Sequence, residues 1–173
     1  MSTTLVNPQD FQQPSRSAPA ESLQTVASVE AFEALLFRHL ARCRRKGERM
    51  TLMWIEFELL TPVDPALGRA PAEDVARALG ARLCHRVRRT DLVFEVRSTG
   101  FAVLLNAAKD EAGIVERRLQ EQLRGPYGMD GWVARVQVSI GLGVASEAQS
   151  QGSTLLQCAM DDVYLRRPVP AEA

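Results

Sequence analysis

Cysteine and histidine are scarce in this chain of 173 residues: there are three cysteines, Cys43, Cys84 and Cys158, and two histidines, His39 and His85. The cysteines are far apart and odd in number, and no C-x-x-C pair occurs. That excludes a disulfide framework and the usual zinc spacings. His39 and Cys43 stand one helical turn apart, but two ligands on one helix do not complete a zinc site, so no metal is expected there. Unpaired thiols suit a reducing compartment, and a cytoplasmic location is expected. Charge of one sign is also missing, since 21 basic side chains balance 21 acidic ones. A net charge of zero argues against a strong overall footprint for nucleic acid or anionic lipid, and no DNA partner is expected. Long hydrophobic runs are absent: every apolar stretch is interrupted within about ten residues, so no membrane-inserted segment is expected. Met1-Ser2-Thr3-Thr4-Leu5 has no basic region followed by an apolar one, so no secretory leader is expected either.

What is present suffices for one domain. The hydrophobic fraction is 46%, ample for a single core. Residues 1–22 are rich in Pro, Gln, Ser and Ala, and such a segment cannot bury enough apolar surface to offset its ordering entropy. We expect a disordered tail there, a domain over 23–167, and a short tail over 168–173, where Pro168 and Pro170 remove donors and fix φ.

Within the domain the periodicity alternates. Ser28 is placed to cap a helix with Phe32, Leu35, Leu36 and Leu40 on one face, and with Arg42, Arg44, Arg45 and Lys46 in its last turns, where cations suit the helix dipole. Thr51 to Phe57 reads as a buried strand and Pro62 to Pro71 as a loop. A helix is expected from Ala72 to Arg88. Two strands, Leu92 to Val96 and Phe101 to Leu105, are expected to form a hairpin about the turn Arg97 to Gly100. A helix from Asp110 to Leu123, a break at Gly125 to Gly128, a strand from Trp132 to Ile140, and a final helix from Thr154 to Leu165 capped by Ser153 complete the order. This predicts an α+β domain, with helices on one side of a mostly antiparallel sheet. Trp54 is expected in the core. Gly141 and Gly143 have no helix at the distance a dinucleotide loop requires.

This order resembles the GGDEF (diguanylate cyclase) domain, and several motifs carry the resemblance. Glu21-Ser22-Leu23-Gln24 and Ser28 to Phe32 are similar to the family's opening motifs, and Trp54 to Leu60 to its first strand. Gly68 to Glu73 is similar to its G-H-x-x-G-D, Ser139 to Gly143 to its S-I-G-x-A strand, and Asp161 to Arg167 to its closing motif, with Tyr164 kept. Arg97-Ser98-Thr99-Gly100-Phe101 then falls on the GGDEF hairpin itself, with no insertion needed after Glu56.

The resemblance implies a nucleotidyl-cyclase-like fold. In an active member two GTP molecules are condensed across a homodimer into cyclic di-GMP, a phosphoryl transfer in which positioning and metal electrostatics supply the acceleration. The positions that do this are altered here. The strand acid is Glu56. The hairpin's catalytic acid is Thr99, which is uncharged, and its metal ligand is Gly100, which has no side-chain oxygen. The two glycines are Arg97 and Ser98; Arg97 can pair with a phosphate but cannot organise magnesium. One carboxylate is a poor magnesium site. Asp64 stands at the guanine-binding Asn position, acceptor-only where Asn both donates and accepts, and Glu73 keeps a carboxylate on a longer stem. The resemblance therefore implies a pseudoenzyme with these seven positions vestigial, no catalytic residue, no metal and no cofactor.

Arg88-Arg89-Thr90-Asp91 is similar to the family's R-x-x-D inhibitory site, at the matching distance before the hairpin. The resemblance implies cyclic di-GMP as the ligand. Arg88 can fork onto phosphate or the Hoogsteen edge of guanine, and Asp91 can accept from guanine N–H groups. Arg117, or Arg118 beside it, can supply a second basic contact. The same residues have a bland reading, with cations at a helix end and Asp91 pairing with Arg88. Two functions follow: a cyclic di-GMP effector, or a scaffold that pairs with another protein and has lost all nucleotide contact. Residual cyclase activity in a heterodimer is a third, and a homo- or heterodimer suits any of them.

Overall fold

The computed structural model describes residues 23–60, 71–98, 100–129, 131–145 and 152–166. The two terminal tails, the Pro62 to Ala70 segment with Asp64, and Thr99 lie outside the described residues. Eleven elements follow in order: β1 (Leu23–Thr25), α1 (Val29–Lys46), β2 (Thr51–Leu59), α2 (Pro71–Cys84), β3 (Leu92–Arg97), β4 (Gly100–Leu105), α3 (Lys109–Gln122), β5 (Tyr127–Met129), β6 (Trp132–Ala134), β7 (Val136–Val144) and α4 (Gly152–Arg166). The main sheet has the order β1-β3-β4-β2-β7. Its pairs are antiparallel except β1 with β3, which is parallel. This is the GGDEF-like fold that the sequence resemblance implies.

Local chemistry sets the element boundaries. The Ser28 side chain accepts from the Ala31 N–H, capping α1. Gly47 closes α1 at φ 66°, returning its N–H to the Arg44 carbonyl, while the Glu48 N–H reaches Cys43. β2 is central, hydrogen-bonded to β4 on one side and to β7 on the other. Its alternate residues feed two cores. Met53, Ile55 and Phe57 pack with Val75, Leu79 and Leu83 of α2 and Leu119 of α3. Leu52 and Trp54 pack with Phe32, Leu36 and Leu40 of α1 and Leu155, Ala159 and Val163 of α4. The helices therefore cover both faces, not one as the pattern suggested. A strand buried on both faces loses its period-two signature, so the number of helical layers is not readable from it.

Three further boundaries differ from expectation. α2 ends at Cys84 rather than Arg88, because the Asp91 carboxylate takes the Arg88 N–H at 2.8 Å and turns the chain. The expected strand Trp132 to Ile140 is two strands, parted at Arg135: β6 pairs with β5 in its own hairpin while β7 joins β2. The expected Gly125 to Gly128 break is confined to Gly125 and Pro126, because Tyr127 and Gly128 already belong to β5. The three-residue β1 was not foreseen, being too short to show a period.

Gly141 and Gly143 are where α4 lies on the sheet. A Cβ at Gly141 would stand 2.2 Å from the Ala159 carbonyl oxygen, and one at Gly143 would stand 2.4 Å from that of Leu155. The glycines thus serve helix-on-strand contact, which accounts for the S-I-G-L-G run without any nucleotide. Gly141→Ala should lower the unfolding free energy by about 3 kcal/mol, since backbone, not a flexible tip, must move. Urea denaturation with a loss well under 1 kcal/mol would contradict this packing.

Candidate functional site

The β3–β4 hairpin is anchored to β2, so the strand acid and the hairpin meet. Glu56 is in register with Gly100 of β4 on one side and with Ser139 of β7 on the other. The ladder between β3 and β4 is irregular between Glu95 and Arg97, and Arg97 pairs with Gly100. Such an irregularity re-aims the side chain that follows it. Here that side chain is Arg97, whose Nη2 donates to Glu56 Oε1 at 3.0 Å. The indole N–H of Trp54 donates to the same oxygen, also at 3.0 Å. The Arg97 guanidinium lies 5.4 Å from the centre of the Trp54 ring, within cation–π range.

Glu56 is thus held by an internal cation and an indole. A Cβ at Gly100 would meet Trp54 Cζ2 at 3.5 Å and Arg97 Nε at 3.6 Å, ordinary contact distances that place this position beside the Arg97–Glu56 pair. The donor set does not fit a magnesium ion: one carboxylate, already engaged by Arg97, and a glycine with no oxygen to offer. Among the described residues no group of three or more His, Cys, Asp or Glu is placed to hold a metal. His39 Nδ1 lies 3.4 Å from Arg42 Nη2, and Cys43 Sγ lies 3.9 Å from the sulfur of Met50.

Glu73 is exposed in the first turn of α2. It shares a groove of about 500 Å³ with Arg97 and Ser98 of the hairpin, Thr25 of β1 and Arg77 of α2. The structure therefore gathers Glu56, Glu73, Arg97, Ser98 and Gly100 at one end of the sheet. Sequence reasoning placed Trp54 in the core, where it is fully buried. It missed the indole bond to Glu56 and the Arg97 ion pair. A cation replacing a hairpin glycine at the end of the sheet where Glu56 stands was the available signal.

The second cluster lies on the turn after α2. Arg88 N–H donates to Asp91 Oδ2 at 2.8 Å, and Asp91 N–H returns to the Arg88 carbonyl at 3.0 Å. The Asn106 N–H, past the end of β4, also donates to this carboxylate. Asp91 is only 7% exposed, whereas the Arg88 side chain is exposed. Arg118 of α3 donates to the Arg86 carbonyl at 2.9 Å, and its charge acts on Asp91. Arg118 thus reaches the turn of Arg88 and Asp91; Arg117 and Arg118 are both exposed on α3. Asn106 gave no sequence signal, because its contribution is a backbone N–H.

These arrangements define a GGDEF-type module. The chain belongs to the family described as diguanylate cyclase, GGDEF domain, whose model matches residues 22–168. A cyclic di-GMP phosphodiesterase from Pseudomonas aeruginosa, NbdA, is 25% identical over 140 residues, covering 80% of this chain and 18% of that protein. The chain is thus similar to less than a fifth of that relative's length. The crystal structure of the GGDEF domain of TpbB (YfiN) from the same organism superimposes with a TM-score of 0.69 at 23% identity, covering 81% of this chain and 89% of that one. The GGDEF domain of DgcB from Caulobacter crescentus, solved in complex with c-di-GMP, gives 0.69 at 14% identity, covering 88% and 92%.

Burial pushes the Asp91 carboxyl above its ordinary 3.8, against the N–H donors of Arg88 and Asn106 and the charges of Arg88 and Arg118. A raised acid binds its proton more tightly folded than unfolded, so its contribution to stability falls as pH rises from about 4 through the folded value. Wild type should accordingly lose stability relative to Asp91→Asn between pH 4 and pH 7. Urea unfolding at the two pH values measures the difference, and a relative gain by wild type would contradict the assignment.

Proposed function

We propose that this chain is a catalytically inactive GGDEF domain that reads cyclic di-GMP at the Arg88–Asp91 turn and passes the signal to a protein partner in the cytoplasm. The inactive half of this reading rests on one observation, the Arg97–Glu56 ion pair beside Gly100. Phosphoryl transfer needs carboxylates that hold metal against a triphosphate, and here the strand acid is neutralised from within. Thr99 adds no charge at the hairpin. Incubated with GTP and magnesium, alone or mixed with an intact cyclase, the chain should add no cyclic di-GMP beyond background. Product in excess of the intact partner's own would instead support the heterodimer reading.

The ligand half rests on geometry at the turn. Arg88 is exposed on a segment that Asp91 locks through two backbone N–H groups, and Arg118 stands beside it. A guanidinium carried on a fixed turn can fork onto phosphate or guanine. Asp91 then acts chiefly by fixing where Arg88 stands. The likeness to a GGDEF domain solved with c-di-GMP is consistent with this ligand. Calorimetry should give low-micromolar or tighter binding, lost in Arg88→Ala and weakened more by Arg118→Ala than by Arg117→Ala. No heat with wild-type protein would remove the effector reading.

One observation favours the alternative, a nucleotide-independent scaffold: the buried Asp91 carboxylate already satisfies the backbone around it. A partner complex indifferent to the nucleotide would select that reading.

A further inference from the structure

The charge balance of the chain conceals a concentration. Between Arg38 and Arg49 there are six basic side chains (Arg38, Arg42, Arg44, Arg45, Lys46 and Arg49) and one acidic one, Glu48. The rest of the chain therefore carries fifteen basic and twenty acidic side chains. All six cations are exposed. Glu48 lies 3.9 Å from Lys46, too few acids to neutralise the group. His39, on the same helix, is pushed below its ordinary value, first by burial and then by Arg42 and Arg38.

The cations have a direction. α1 buries Phe32, Leu36 and Leu40 against the sheet. At 3.6 residues per turn, Ala34, Phe37, Arg38, Ala41 and Arg45 fall on the opposite side, flanked by Arg42 and Arg44. Phe37 is 53% exposed there. Arg38 to Arg45 spans about 10 Å along one straight helix. Small alanines between them leave the arginines and the phenylalanine as the highest points of the face.

We propose that this outer face of α1 docks peripherally on an anionic phospholipid surface, the arginines against headgroup phosphates and Phe37 at the acyl boundary. Charge complementarity selects an anionic occupant, and the shape selects a planar one. A single convex helix touches a flat surface along its length, and the exposed Phe37 among the arginines suits an acyl boundary rather than a duplex or an acidic peptide. Five of the six cations are arginine, which meets phosphate bidentately. An exposed aromatic beside basic residues is the composition of an interfacial helix. The opposite charge of the remaining chain orients the molecule with α1 toward the bilayer. No described helix is long and apolar enough to cross a membrane, so the contact is adsorption and not insertion. This inference is independent of the nucleotide reading.

The test is co-sedimentation of the full chain with vesicles of phosphatidylglycerol and phosphatidylcholine in equal parts, against phosphatidylcholine alone. At low salt, binding should be at least roughly tenfold greater on the anionic vesicles and should fall as salt rises. The triple variant Arg38→Gln, Arg42→Gln, Arg45→Gln should lose that excess, and Phe37→Ser should weaken the residual binding at high salt. Far-UV circular dichroism verifies the fold; if the triple variant unfolds, Arg38→Gln and Arg45→Gln taken singly must each lower binding. Equal sedimentation with both vesicles, or full binding by the folded variants, overturns the proposal. So does tighter binding to duplex DNA or polyglutamate than to the anionic vesicles.

Discussion

With β4 hydrogen-bonded along one edge of β2 and β7 along the other, and helices on both faces, Thr51 to Ile55 have almost no contact with water. The remaining elements meet what that burial demands. α1 and α4 cover Leu52 and Trp54, and α2 and α3 cover Met53, Ile55 and Phe57. β7 can lie under α4 only because Gly141 and Gly143 let the helix backbone down onto the strand. Close packing of this kind is intolerant of one extra methyl group and has no bearing on catalysis. The glycines of the Ser139 to Gly143 run therefore serve the fold.

Glu56 is where β2 leaves the interior, and the chemistry changes at the same residue. In a metal-dependent site a strand carboxylate waits for a cation from solution. Here the cation is covalently part of the chain, delivered by a bulge in β3. The pair is partly exposed, so its contribution to stability is modest. Its consequence is occupancy: Glu56 has a partner, Trp54 has its N–H satisfied, and the hairpin turn is tied to β2.

Arg88 to Asp91 follows a different logic. Asp91 does local work first, ending α2 and joining the start of β3 to the end of β4 through Arg88 and Asn106 N–H groups. An R-x-x-D sequence can therefore persist for the fold alone. What distinguishes a reading site from a turn is the cations around it, and α3 brings Arg118 there from 27 positions further along the chain. Along α1, by contrast, the cations are neighbours in sequence, and only the face they share awaited knowledge of the helix's buried side.

The amino-acid sequence by itself determined the family, the α+β class, most element positions, the altered hairpin and its adjacency to Glu56. These follow from periodicity, caps and motif spacing, all of them local or ordered along the chain. Tertiary structure alone decided that helices cover both faces, that Arg97 closes on Glu56, that Trp54 shares that contact, and that Arg118 bonds the Arg86 carbonyl beside the Asp91 turn. Each of these depends on the angle at which a side chain leaves its element and on what another element presents there. A bulge between Glu95 and Arg97, or one step around α3, changes the partner without changing a single letter.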